Sequence, residues 1–234
     1  MKGKKRGRIV LLYVLVVGLF LAATYLGSAA TSVVAEWIPV KRDHTIVIDP
    51  GHGGEDGGAT SVAGIPESQY NLEIALRLQD LFHLLGYRTK MIRTTDRSVY
   101  TNGDTIAAKK VSDLRERVRL VNETDGALLL SIHQNMFPER QYRGAQVFYG
   151  PEGEGQALAE QLQRVFREIL NPGSKRKSKK ADGIYLMQHI CCTGVLVECG
   201  FLSNYEEEAQ LRSEEYQRKI CCVIAATVAG FLTK

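Results

Sequence analysis

The five cysteines include no Cys-x-x-Cys pair, which removes a structural zinc ribbon. There is no His-Glu-x-x-His segment, which removes a thermolysin-type zincin. No internal repeat is present. The body of the chain also lacks a basic surplus: five of the 30 Lys and Arg fall in the first eight residues, which hold no acid, leaving 25 against 26 acids after residue 8. The net charge of +4 therefore belongs to the N-terminus and not to the body. With 44% hydrophobic and 24% charged residues, disordered, collagenous and multi-span membrane classes drop out. At 234 residues the chain has room for one good-sized domain plus an appendage, or at most two small domains.

The start of the chain carries a topology signal. Lys2, Lys4, Lys5, Arg6 and Arg8 precede Ile9 to Leu26, an uncharged run of 18 residues in which only Gly18 and Thr24 fall outside the hydrophobic class. A helix rising about 1.5 Å per residue needs about 17–25 residues to cross a hydrocarbon core of about 30 Å. Cations ahead of such a run keep the N-terminus in the cytoplasm and send the rest across. Residues 1–30 are thus expected to be a signal-anchor or, if Gly27, Ser28, Ala29 and Ala30 are cleaved, a signal peptide. A buried core helix would need a polar outer face, and the segment has none. Residues 31–42 read as a tether and 43–234 as the folded domain, exported to the outer face of the membrane or released from it. Export makes nucleic acid and nucleoside triphosphates unsuitable partners and brings in wall polymers, peptides and glycans.

From Thr45 the pattern is that of an α/β domain: a single, mostly parallel twisted sheet with helices on both faces. Strands are expected at Thr45–Asp49, Tyr87–Arg93, Ala127–Ile132, Ala145–Tyr149, Ile184–Met187 and Val195–Val197. Apolar residues at three- and four-residue steps predict a helix over Ser68–Leu85, closed by Gly86, and another over Gly155–Leu170 burying Leu158, Leu162, Val165 and Ile169. Val111, Leu114, Val118 and Val121 mark the inner face of a further helix, opposite Arg115, Arg117 and Arg119, after a long surface loop at 94–108. Tyr216, Ile220, Val223, Ile224, Thr227 and Phe231 face inward on the last helix.

Three polar residues follow apolar strands directly: His52 after Ile46–Asp49, His133 after Leu128–Ile132, and Glu198 after Val195–Val197. In open parallel sheets the ligand crevice lies outside the carboxyl ends of the strands, so these side chains are expected to converge. Two His and a carboxylate point to zinc, whose catalytic sites keep three protein ligands and an open fourth position. Glu67, delivered by the Gly64–Glu67 turn, is the candidate third ligand, with Gly51, Gly53 and Gly54 allowing close packing around the metal. The plainer alternative places Glu67 at a helix entry, where the positive end of the helix favours an acid. His52 alone reads equally as a turn residue, and His133 alone as a satisfied core histidine.

The segments Ile48–Gly54, Glu67 with Asn71–Leu72, Ser131–Asn135 and Val197–Asn204 occur in an order that resembles the zinc-dependent N-acetylmuramoyl-L-alanine amidases of bacterial cell walls, the amidase-3 family. The resemblance runs from about Thr45 to Leu232. It implies that His52, Glu67 and His133 hold one zinc ion and that Glu198 is the catalytic carboxylate, acting as general base in hydrolysis of the amide between muramic acid and L-alanine. Thr95–Arg97, Val111–Arg119, Gly144–Gln146 and Gly183–Gln188 look like the spore-cortex, germination-specific branch. That branch implies a location at the cell wall or spore envelope and a functional partnership with a peptidoglycan deacetylase, which allows muramic lactam to form. Gln134, Met136 and Cys199 depart from the usual family pattern without touching a ligand.

Two other functional classes compete with this reading. Cys199 beside Glu198 would make a cysteine hydrolase with His133 or His52 as base, and a wall-binding scaffold would keep the fold without the chemistry. The remaining cysteines, Cys191-Cys192 and Cys221-Cys222, read mainly as small buried hydrophobes, with a disulfide between the pairs possible after export. Lys175–Lys180 holds five cations in six residues, either a solvated loop or an attractor for anionic polymer or lipid.

Overall fold

The computed structural model describes residues 43–150 and 153–233, all within the compact unit Val40–Lys234. The expected export segment at 1–30 and the tether at 31–42 lie outside the described residues. Among the described residues no helix is long and apolar enough to cross a membrane.

The chain forms β1 (Thr45–Pro50), α1 (Glu67–Leu84), β2 (Arg88–Met91), α2 (Ile106–Asn122), β3 (Ala127–Asn135) and β4 (Gln146–Tyr149). Then come α3 (Glu154–Val165) with a π-helical end (Phe166–Leu170), β5 (Lys179–Lys180), α4 (Tyr185–His189), β6 (Thr193–Phe201), α5 (Tyr205–Arg212) and α6 (Glu214–Leu232). The strands lie in one sheet in the order β2-β1-β3-β6-β4-β5. The sheet is mixed: β2, β1, β3 and β6 run parallel, whereas β4 pairs antiparallel with β6 and carries β5 with it.

Alternation along the strands builds two layers. Ile46, Ile48, Leu128, Leu130, Ile132, Val195 and Val197 face a large core with Ile74, Leu78 and Phe82 of α1, Leu158 and Leu162 of α3, and Ile220, Ile224 and Val228 of α6. Val47, Leu129 and Leu196 face the opposite way, into a smaller cluster with Val121 of α2 and Leu186, Met187 and Ile190 at α4. Helices on both faces therefore hold, but one layer is thin.

Several local expectations are corrected. Residues 184–187 are not a strand: Tyr185–His189 is a short helix burying Leu186 and Met187. At the end of α3 the π turn inserts an extra residue per turn, so Phe166 and Leu170 point inward and Ile169 is left exposed. On α2 the inner face is Ser112, Arg117 and Val121, while Val111 and Leu114 are exposed, because Arg117 is drawn inside by a buried acid. His133 and Glu198 lie within strands rather than after them, since β3 and β6 keep pairing to Asn135 and Phe201, past their apolar runs.

Candidate active site

His52 sits in the loop after β1 in the left-handed region, at φ 59, a conformation costly for a residue with a side chain. Two buried arginines hold it there. Arg93 donates to the carbonyl oxygens of Pro50 at 3.0 Å and Gly51 at 2.9 Å, and Arg117 donates to those of Pro50 at 2.9 Å and His52 at 2.8 Å. Arg117 also pairs with Asp49, whose other oxygen accepts the Ser131 hydroxyl at 2.7 Å. Burial pushes the Asp49 carboxyl up, and Arg117 and Ser131 outweigh it, holding the group below its ordinary value.

This network carries a prediction. Arg117→Met leaves Asp49 as an uncompensated buried charge, so the domain is expected to lose about 3–5 kcal/mol of stability, read as a drop in thermal midpoint. Because the folded-state pKa of Asp49 is depressed, its contribution is present above the unfolded value of about 3.9 and is lost as pH falls through the folded one. The wild-type advantage over Arg117→Met should therefore shrink in acid.

Glu67 is the first residue of α1, after Pro66, as the helix-entry reading expects, and the same placement aims its carboxylate at both histidines. Its carboxylate is nearly buried and meets His133 Nδ1 at 2.9 Å through Oε1 and His52 Nε2 at 3.2 Å through Oε2. Backbone N–H groups of Gln134 and Ala59 and the Asn71 side-chain amide donate to the same carboxylate at 3.1–3.2 Å. His52 Nδ1 faces Asp56 Oδ2 at 2.9 Å, which fixes the ring and turns Nε2 toward Glu67. Two glycines make room: a Cβ on Gly51 would lie 2.2 Å from the His133 ring, and one on Gly58 would lie 2.7 Å from both Glu67 Oε2 and the His52 ring.

His52, Glu67 and His133 bring one ligand atom each within 4.8 Å of one another. The histidine side chains keep 24% and 20% of their surface exposed, so the cluster is open on their side. Burial alone would lower His52, but Glu67 and then Asp56 outweigh it and lift the imidazole to about 9. The two carboxylates thus favour positive charge between them. Two nitrogen donors, one carboxylate, an outer carboxylate on one ring and an open side fit a catalytic zinc.

Glu198 is not part of this cluster but stands next to it. It is the register partner of His133 across β3 and β6, and its Oε2 is buried with no hydrogen-bond partner among the described residues. Burial, helped by Glu67 and opposed by the two histidines, pushes the carboxyl up to about 7. A carboxyl group so placed can both take and return a proton near neutral pH.

A family model described as N-acetylmuramoyl-L-alanine amidase matches residues 46–229. The chain belongs to that family. The germination-specific N-acetylmuramoyl-L-alanine amidase of Bacillus subtilis is 37% identical over 191 residues, covering 81% of this chain and 80% of that protein. The LytC amidase of the same organism is 29% identical over 178 residues, covering 75% of this chain and 33% of its own length. Among solved structures, the CwlD amidase from Clostridioides difficile in complex with the GerS lipoprotein superposes with a TM-score of 0.77 at 33% identity, covering 81% of this chain and 98% of that one. The reaction class of the amidase family, hydrolysis of the amide between muramic acid and L-alanine, applies to this chain.

The structure brings together all four residues expected at the site. Sequence reasoning passed over Asp56, Arg93 and Arg117. Asp56 had a signal, an acid four residues after His52 in a glycine-rich loop. The arginines had none, because a cation on an amphipathic helix or at a strand end reads as solvated. The burial of Cys199 disfavours the cysteine alternative. Cys199 is fully buried and burial pushes its thiol well above the ordinary value, so no thiolate is available for attack. All five cysteines are free: of the two pairs expected to be buried only Cys221 is, Cys192 is half-buried and Cys191 and Cys222 are exposed, and Cys199 is buried too.

Proposed function

We propose that this amidase is zinc-dependent, with His52, Glu67 and His133 as metal ligands and Glu198 as general base. The observation that carries the assignment is the row His133–Glu198, which sets an unpartnered buried carboxylate oxygen beside the three-ligand cluster. The chemistry zinc supplies when bound there is polarisation of the amide carbonyl and a lowering of a water's pKa from about 15.7 towards about 7. Glu198 takes the proton of the attacking water and returns it to the leaving amine of L-alanine. Glu67, held by three N–H donors, keeps the two imidazoles in place, and Asp56 keeps His52 in the tautomer whose Nε2 faces the site.

The likeness to a germination-specific relative supports a role in spore-cortex maturation, in which peptide-stripped muramic acid passes to a deacetylase before lactam closure. The N-terminal pattern supports action outside the membrane, with residues 1–30 as anchor or signal and 31–42 as tether ahead of the catalytic domain.

Incubating the purified chain with peptidoglycan, with and without zinc, tests the reading. New L-alanine amino termini that depend on metal are expected, and Cys199→Ala should release them at the wild-type rate. New reducing sugars, or release that survives chelation, would overturn it.

A further inference from the structure

The cationic segment at 175–180 takes no part in the chemistry above. It forms one wall of a groove of about 970 Å³ whose other walls are the loop at 141–144 and residues of α5. Groove and reaction centre share a boundary. Gln146, which lines the groove, is the register partner of Glu198 on the neighbouring strand, just as Glu198 is of His133. Directly paired residues project from the same face of a sheet, and strands lie about 4.8 Å apart, so the groove opens one strand-width from the catalytic carboxylate.

Arg176 is built into that groove. Its Nε donates to the Arg143 carbonyl at 2.9 Å, its Nη1 donates to Gln146 Oε1 at 2.7 Å, and its guanidinium lies 4.6 Å from the centre of the Phe201 ring. Gln146 is fixed in turn by donating to the Lys177 carbonyl at 2.6 Å. Nη2 has no partner among the described residues. Burial pulls Arg176 below its ordinary value, against the opposing pull of Glu207 and Tyr142. Lys175, Lys177 and Lys179 line the same groove and are exposed. With Arg143, five cations face two acids in the groove. Glu207 spends its oxygens on the N–H groups of Gly144 at 2.7 Å and Phe201 at 2.9 Å, and Glu206 is exposed 3.5 Å from Arg143.

We propose that this groove is a subsite for the carboxylate-bearing peptide arm of the substrate, with Arg176 as its pre-positioned anion-binding residue and Lys175, Lys177 and Lys179 as an electrostatic rim. The proposal rests on the amidase reading. In the intact substrate the lactyl carboxyl is consumed by the scissile amide, the N-acetylated sugars are neutral, and the peptide is the arm that carries negative charge. A planar guanidinium already held by two hydrogen bonds loses little further freedom on pairing with a carboxylate. The peptide therefore lies on the β4 side of Glu198.

The test uses N-acetylmuramyl-L-alanyl-D-glutamate and its diamide, in which both carboxylates are capped. Binding is measured by calorimetry on the zinc-loaded full chain carrying Glu198→Gln. The free acid is expected to bind about tenfold or more tightly than the diamide, with the preference shrinking as salt rises. Arg176→Gln should bring the preference near unity, and Lys175→Gln/Lys177→Gln/Lys179→Gln should cut both the preference and its salt dependence several-fold. Equal affinity for the two ligands, or a preference untouched by the triple variant, overturns the proposal. The triple variant decides even where Arg176→Gln disturbs the fold, because those three lysine side chains are exposed and hold no described partner. Failure of the amidase reading shows separately, as no new L-alanine amine from either ligand with the unsubstituted chain.

Discussion

Glu198→Gln is expected to leave a protein that binds metal and does not cut. The substitution keeps the shape of the side chain and removes its capacity to accept a proton, a function worth about 10²–10⁴ in rate. Zinc content should stay near one per chain, because the carboxyl belongs to β6 and stands outside the cluster of His52, Glu67 and His133. Stability should not suffer. Oε2 has no hydrogen bond to lose among the described residues, and in the metal-free protein the group's folded-state pKa is raised, to about 7. A raised carboxyl pKa contributes stability at low pH that is lost as pH rises through the folded value. At pH 8 the amide variant should thus melt no lower than wild type. Retained hydrolysis would remove Glu198 from the mechanism. Loss of zinc together with activity would make it a ligand instead.

The site was more legible than the architecture around it, for reasons visible in particular residues. His52, His133 and Glu198 are polar residues at the ends of apolar runs, which a parallel sheet collects at one edge, and Glu67 stands on the glycine-rich turn that opens α1. Apolar periodicity reports what faces the core and is silent about backbone pairing. The strands β3 and β6 therefore looked shorter than they are, and the polar residues that finish them looked like loops. The run at 184–187 has too few residues to separate two periods, and its burial under the thin layer is satisfied by one helical turn. The antiparallel setting of β4 left no mark in its composition, since strand direction depends on the connection and not on side chains. Arg117 misled most. Its guanidinium is buried by a partner, Asp49, 68 positions away, and a long-range charge pair has no local signature.

Removing Glu67 should have the second large effect, and its readout does not depend on turnover. Glu67→Gln retains the volume and the helix-entry position but replaces the charged carboxylate that both imidazoles face. In wild type, burial would raise the Glu67 carboxyl and the hydrogen bonds from His133 and His52 more than offset it, so the group sits well below its ordinary value. A cation entering the cluster supplies the positive charge that the carboxylates favour. Ligand binding to the native state adds RT ln(1 + [L]/Kd), about 2.7 kcal/mol at a hundredfold excess over Kd. Wild type should accordingly show a thermal midpoint that climbs with added zinc and falls back on chelation. For Glu67→Gln the midpoint should be nearly flat in zinc and the activity lost. A midpoint indifferent to zinc in wild type would deny the metal its site. A zinc-dependent midpoint surviving in Glu67→Gln would move the third ligand elsewhere, with Asp56, already 2.9 Å from His52, the next carboxylate to substitute.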